Sequence, residues 1–181
     1  MRKLESLQEL ILRKNMLELV PEWFILQNGS TIELLPNLKE LDLSENYISF
    51  ITHRSFLYLR NIEKILIDNN RIQMIEPSAF SKLTVLQVLS ISRNKGDHIF
   101  IHCKSFESIY LRHLILNENQ FNSKLYGEEF PISEIIQESC EKSFFSYLPN
   151  LEILELNNNK MLLTTNLSLF SIVQSLKTLE F

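Results

Sequence analysis

The 181-residue sequence contains only three glycines, five prolines and two cysteines. Glycine and proline this scarce leave no place for long flexible linkers. Two cysteines permit at most one intrachain bridge, and two reduced thiols fit equally well. No apolar run reaches the roughly 18 residues of a membrane span, so no membrane insertion is expected within this chain. Basic residues are outnumbered, 18 Lys and Arg against 22 Asp and Glu, for a formal charge of −4. That balance argues against nucleic acid as the main partner, because such partners require a basic surface. The first residues lack the marks of a secretory leader: Met1-Arg2-Lys3 is followed at once by Glu5, Gln8 and Glu9. The expectation is a cytosolic protein or an internal piece of a longer chain. There is no glycine-rich phosphate loop and no G-x-S-x-G nucleophile elbow, so neither an enzyme nor a cofactor is expected.

What the sequence has in abundance is a repeat. Leu38, Leu41, Leu43, Asn46, Ile48, Ile51, Phe56 and Leu59 are each matched 24 positions later, by Ile62, Ile65, Ile67, Asn70, Ile72, Ile75, Phe80 and Leu83. The spacing L-x-x-L-x-L-x-x-N-x-L recurs along the whole chain. Repeats start near residues 7, 38, 62, 86, 111 and 151, with a partial one at 176, and together make one domain over 1–181. Two steps are long. Leu7 to Leu38 takes 31 positions, with an insertion near 21–35 that holds the turn-like cluster Asn28-Gly29-Ser30. Leu111 to Leu151 takes 40, with an insertion near 122–139 in which Ser133 to Glu138 reads as a short helical turn. In the fourth repeat Gly96 stands where Ile48 and Ile72 stood.

The physics of this pattern predicts an α/β repeat solenoid. Leucines two apart point to one side of a strand. No single repeat buries them, so each strand pairs in parallel with the next and the leucines stack into a continuous core. The asparagine falls where the chain leaves the strand, and its amide is expected to bond backbone groups opened by the turn. Asn15, Asn46, Asn70, Asn94, Asn119 and Asn159 are then rungs of a ladder. Phe24 or Leu26, followed by Phe56, Phe80, Phe106, Phe145 and Phe170, are expected to fill a wider convex side of irregular or short helical segments. The stack curves into an arc with the parallel sheet on its concave face. The strand residues facing away from the core there are Glu9, Ile11, Arg13; Glu40, Asp42, Ser44; Lys64, Leu66, Asp68; Val88, Ser90, Ser92; His113, Ile115, Asn117; and Ile153, Glu155, Asn157.

From Leu7 to Leu179 these residues resemble the leucine-rich repeat family. The tail x-I-x-x-I-x-x-x-x-F-x-x-L after Asn46 and Asn70 is similar to its typical 24-residue subfamily, and the chain resembles a fragment of a Toll-like receptor-type ectodomain. The resemblance implies ligand recognition in innate immune-type receptor signalling, at the cell surface or outside the cell, and no catalysis. It implies a protein or microbial ligand on the concave face and leaves receptor dimerisation open. The candidate ligand-binding residues are Glu40, Asp42, Ser44, Lys64, Leu66, Asp68, Ser90, Ser92, His113, Ile115, Asn117 and Glu155. An intracellular scaffold or adaptor of the same fold is the alternative.

Other features have a bland reading beside the sharp one. Asn28-Gly29-Ser30 and Asn166-Leu167-Ser168 fit the N-glycosylation acceptor pattern, conditional on secretion. The first lies in an insertion, where exposure is expected; the second lies on the convex tail, where Leu167 reads as core. Cys103 and Cys140 precede Phe106 and Phe145 by three and five positions. If those phenylalanines are equivalent anchors, the two cysteines fall on neighbouring convex segments, as a disulfide or as two buried thiols. His98, His102, Cys103 and His113 have metal-ligating side chains, but Ile99, Phe100 and Ile101 read as packing between them, so no metal is expected. Trp23 reads as convex packing. Glu40, Asp42, Asp68 and Glu155 read as a solvated face, since an open arc offers no closed cleft for paired carboxylates.

Overall fold

The computed structural model describes residues 3–95, 99–102, 104–119, 144–159 and 173–180. Its strands, in chain order, are β1 (Glu9–Ile11), β2 (Phe24–Gln27), β3 (Ser30–Glu33), β4 (Glu40–Asp42), β5 (Phe50–Ile51), β6 (Lys64–Leu66), β7 (Met74–Ile75), β8 (Val88–Ser90), β9 (Phe100–Ile101), β10 (His113–Ile115), β11 (Ile153–Glu155) and β12 (Thr178–Glu180). One 3-10 turn, Phe144–Tyr147, is the helical element among the described residues. Seven strands form one parallel sheet in the order β1-β4-β6-β8-β10-β11-β12. Each repeat therefore contributes one strand, and sequence neighbours are spatial neighbours, as in a leucine-rich repeat arc.

Register follows from the aliphatic residues. Leu10, Leu41, Ile65, Leu89, Leu114, Leu154 and Leu179 stand opposite one another across the sheet. A slip of one residue would turn this entire row out to solvent, so the pairing is strongly specified. Behind the sheet, Leu38, Leu43, Ile48, Ile51 and their counterparts one repeat on are fully buried, as are Leu86, Ile91 and Ile99 in the repeat after that. The Phe56, Phe80 and Phe106 rings stack along the far side, with centroids 5.4 and 5.8 Å apart.

The convex side is more regular than the sequence suggests. β5, β7 and β9 pair in parallel as a second, three-stranded sheet, with Ile51, Ile75 and Ile101 directed into the core. In the first repeat the expected filler is corrected: Leu26 is 73% exposed and Phe24 is half-buried against Tyr58, 4.8 Å between ring centroids. Trp23, 4% exposed, packs into the core instead, and its indole N–H donates to the Ser55 carbonyl at 2.8 Å. The reason is the insertion that follows Trp23. β2 and β3 form an antiparallel hairpin closed by Asn28-Gly29, which carries Leu26 away from the stack.

Six strands of the main sheet, β1, β4, β6, β8, β10 and β11, lead into the same strained corner. The residue before each ladder asparagine is left-handed: Lys14, Glu45, Asn69, Arg93, Glu118 and Asn158 have φ between 54° and 59°. For residues other than glycine this conformation is unfavourable by roughly 1–2 kcal/mol. Two sets of hydrogen bonds offset it. The left-handed residue's own N–H reaches the next repeat: Glu45 donates to the Asp68 carbonyl, Asn69 to Ser92, Arg93 to Asn117 and Glu118 to Asn157. The asparagine then gathers the remaining groups. Asn70 Nδ2 donates to the carbonyls of Leu43, Ile67 and Asp68, and Asn70 Oδ1 accepts the Ile48 N–H at 3.0 Å. Asn46 repeats this arrangement with Leu12, Leu43, Ser44 and the Leu17 N–H.

The ladder changes step at the fourth repeat. Up to there each Oδ1 accepts from the residue two beyond the previous asparagine, the last case being Ile72 to Asn94 at 3.4 Å. From there Asn119 and Asn159 accept instead from the backbone N–H of Asn94 and Asn119, both at 2.9 Å. The switch falls where the sequence departs from its pattern at Gly96.

Asn70→Ala would strand buried carbonyls and the Ile48 N–H, and is expected to lower the unfolding free energy by about 1–3 kcal/mol. Asn15, at the exposed first repeat, bonds, among the described residues, only the Leu12 and Arg13 carbonyls. Asn15→Ala is expected to stay within about 0.5 kcal/mol of the parent. Equilibrium urea unfolding compares the two, and equal losses would contradict the ladder.

Candidate functional site on the concave face

Period-2 alternation turns three rows of side chains away from the core. In the first row Glu9, Glu40, Lys64, Val88, His113, Ile153 and Thr178 are register partners. In the second, Ile11, Asp42, Leu66, Ser90, Ile115, Glu155 and Glu180 stand side by side. The third row, Ser44, Asp68, Ser92, Asn117 and Asn157, lies just past the strands and is joined by hydrogen bonds. Asp68 N–H donates to Ser44 Oγ at 3.2 Å, Ser92 N–H to Asp68 Oδ1 at 2.7 Å, Asn117 N–H to Ser92 Oγ at 3.1 Å and Asn157 N–H to Asn117 Oδ1 at 2.8 Å. This is a second ladder, parallel to the asparagine one, in which an oxygen of one repeat receives the backbone of the next. Asp68 Oδ1 also accepts the Ser90 hydroxyl at 2.7 Å.

That network sorts the candidate residues. Ser44, Ser90 and Ser92 are 4%, 3% and 7% exposed. They face the concave side but are covered, and their hydroxyls serve the sheet. The others reach the surface at least in part: Glu40, Asp42, Lys64, Leu66, Asp68, His113, Ile115, Asn117 and Glu155. Val88 and Ile153 are half-exposed as well. Leu66 and Ile115 sit two strands apart in one row, roughly 10 Å, and Val88 and Ile153 occupy the neighbouring row. The face thus carries an apolar centre spread over β6 to β11. Glu155 is held by both oxygens, with His113 Nε2 2.6 Å from Oε1 and Asn117 Nδ2 donating to Oε2 at 2.8 Å.

Charge on this face is organised by column. Lys64 lies beside Glu40 of the preceding repeat, and in the positions that flank the rows Arg13 pairs with Glu45, Lys39 with Glu63, Arg93 with Glu118, and both Arg112 and Lys177 with Glu152. Asp42 and Asp68, in contrast, are met by serine hydroxyl and backbone donors. Glu180 is met by the Asn157 amide. The unbalanced charge of the face is therefore negative. Exposed pairs of this kind add little to bulk stability, so their part is in register.

Several sequence expectations find their place or fall outside the described residues. Among the described residues no group of three or more His, Cys, Asp and Glu is arranged to hold a metal ion. His102 is buried and its Nδ1 accepts the Lys104 N–H at 3.1 Å, a turn-capping arrangement. No helix among the described residues is long and apolar enough to cross a membrane. Asn28 stands exposed at the hairpin tip. Cys103, Cys140, Asn166, His98, Phe170 and the insertion 122–139 lie outside the described residues. The ladder of side-chain oxygens and backbone N–H groups has no single residue type to mark it, although Ser44, Asp68, Ser92 and Asn117 recur at the repeat step.

The hydrogen bond from Arg13 holds the Glu45 carboxyl below its ordinary range, and Lys177 does the same for Glu152. A carboxyl lowered in the folded state stabilises above its unfolded value, about 4.3, and loses that contribution as pH falls through the lowered one. The Glu45→Gln/Glu152→Gln double variant is therefore expected to show a shallower loss of melting temperature on acidification below that range. Thermal melts across pH 2–7 check this, and added salt should shrink the difference.

The chain matches known proteins over most of its length. Residues 28–72 and 60–121 match the family described as Leucine rich repeat. Toll-like receptor 3 of Bos taurus is 32% identical over 146 residues, which cover 73% of this chain and 16% of the receptor. The protein phosphatase 1 regulatory inhibitor subunit PPP1R7 homolog of Arabidopsis thaliana is 28% identical over 95% of this chain and 53% of that protein. The Drosophila Toll–Spatzle complex aligns with a TM-score of 0.63 at 28% identity, over 86% of this chain and 19% of that one. The chain spans about half or less of each of these proteins. With its repeat spacing, its seven parallel strands and its asparagine ladder, the chain belongs to the leucine-rich repeat family.

Proposed function

We propose that this chain is a protein-recognition module, part of a receptor ectodomain of the innate immune type, that engages its ligand on the concave face from β4 to β11. One observation carries this reading: half-exposed Leu66, Val88, Ile115 and Ile153 lie among acids, two of which, Asp42 and Asp68, form no ion pair within 4 Å among the described residues and feel Arg13 and Arg93 only at longer range. Apolar side chains in a polar frame are the composition of a protein contact. The sign of the frame favours a partner with lysine and arginine around an apolar centre, and disfavours a polyanion such as RNA. The relatives add support, since Toll is seen in complex with Spatzle. A second reading, an intracellular scaffold, is favoured by the phosphatase regulatory subunit homolog, which aligns with 95% of this chain.

The test is a binding screen of the chain against purified extracellular proteins and protein phosphatase 1 catalytic subunit, read by surface plasmon resonance. Asp42→Asn/Asp68→Asn removes two charges but retains the oxygens that Ser44, Ser90 and Ser92 use. It is expected to weaken the best extracellular ligand at least about tenfold, a loss of about 1.4 kcal/mol, while Lys82→Ala on the convex tail leaves it unchanged. Binding only to the phosphatase, or indifference to the concave substitutions, would contradict the receptor reading.

A further inference from the structure

The segment that departs furthest from the repeat is the β2–β3 hairpin, and neither the solenoid nor the concave face makes use of its tip. Its root is fixed. Leu34 N–H donates to the Trp23 carbonyl at 2.9 Å, Phe24 packs on Tyr58, and Glu33 pairs with Arg60 at 3.0 Å. Beyond the root, among the described residues, β2 and β3 pair only with each other. The tip is a two-residue reversal, Asn28 at φ 52° and Gly29 at φ 76°. Left-handed φ at both positions is the hairpin turn that Asn-Gly favours, because its twist matches that of the strands. Asn28, Gly29 and Ser30 are all exposed. The Asn28 amide has no hydrogen-bond partner among the described residues, and a Cβ built on Gly29 would meet nothing within 4 Å.

We infer that Asn28 is an N-glycosylation site. Asn28-Gly29-Ser30 is an acceptor tripeptide, and the fold presents it on a projecting turn with open space around it. The co-reactant is a lipid diphosphate-linked oligosaccharide. Asn28 Nδ2 forms the bond to the anomeric carbon of the sugar, the anomeric carbon–oxygen bond to the diphosphate breaks, and the lipid diphosphate leaves as the amide gives up one proton. The same tip explains what the sugar would do. Among the described residues neither outer edge of the hairpin is paired, and Leu26, 73% exposed, stands two residues from Asn28. Open strand edges beside exposed apolar groups favour association between copies, and natural proteins cover them. A glycan at Asn28 covers this one and leaves the concave rows free.

The inference rests on the receptor-ectodomain reading, because this transfer takes place in the secretory pathway. The experiment is glycopeptide mass spectrometry on the whole natural chain, purified from the cells that make it, before any enzymatic removal of sugar. That order separates a glycan from spontaneous deamidation, which Asn-Gly also undergoes. The expected result is a hexose- and N-acetylhexosamine-bearing peptide spanning Asn28. In the same cells, Ser30→Ala should lose that mass completely and Ser30→Thr should keep it. The bare Ser30→Ala chain is expected to self-associate on size exclusion, and a Leu26→Ser/Ser30→Ala variant to be relieved of this. A bare Asn28 in chain at the cell surface overturns the site alone. A bare Asn28 in chain confined to the cytosol overturns the site and the receptor reading together.

Discussion

The structure depends on how each repeat turns the corner after its strand. The chain makes that turn through a left-handed residue, and in six repeats this residue is lysine, glutamate, asparagine or arginine, never glycine. Such a corner is unfavourable taken alone. It persists because the next repeat accepts its N–H and the adjacent asparagine satisfies the carbonyls that the turn exposes. Stability is thus shared between neighbours, which is the energetic character of a solenoid: a repeat is stable to the extent that another stands beside it.

The same device sets up the recognition surface. Once the corner is fixed, the residue just before it projects from the concave edge, and its side-chain oxygen meets the backbone of the following repeat. Ser44, Asp68, Ser92 and Asn117 therefore hold the face in register while Asp68 and Asn117 also reach solvent. A surface stiffened in this way loses little conformational freedom on binding. Its specificity lies in what the repeat leaves variable: the aliphatic Leu66, Val88, Ile115 and Ile153, the acids around them, and the Glu155 carboxylate gripped by His113 and Asn117.

Much of this was legible in the residue pattern, and the parts that were not have physical reasons. The leucine spacing announces the parallel strands, and the asparagines announce their ladder, because both recur at a fixed step with strict chemistry. Strand alternation identified which residues face the concave side, yet it reports orientation and not burial. Ser44, Ser90 and Ser92 face outward but are short enough to be covered by their neighbours. The left-handed corners carry no glycine to mark them. Asn28-Gly29 reads as a turn, but the flanking Phe24, Leu26 and Ile32 were needed to recognise a hairpin. Its consequence, that Trp23 and not Leu26 enters the core, depends on packing that no local pattern encodes. The convex sheet is built of two-residue strands, too short to leave a periodic signal.

Residue-resolved hydrogen exchange on the native chain tests the corner most directly. The N–H groups of Ile48, Ile72 and Asn94 lie outside the main sheet and bond asparagine oxygens of the next repeat. If the ladder sustains the fold, these amides exchange as slowly as those of Leu41, Ile65 and Leu89 in the sheet itself. If they exchange at the rate of exposed turns such as Gly29, the asparagines decorate the corners without holding them.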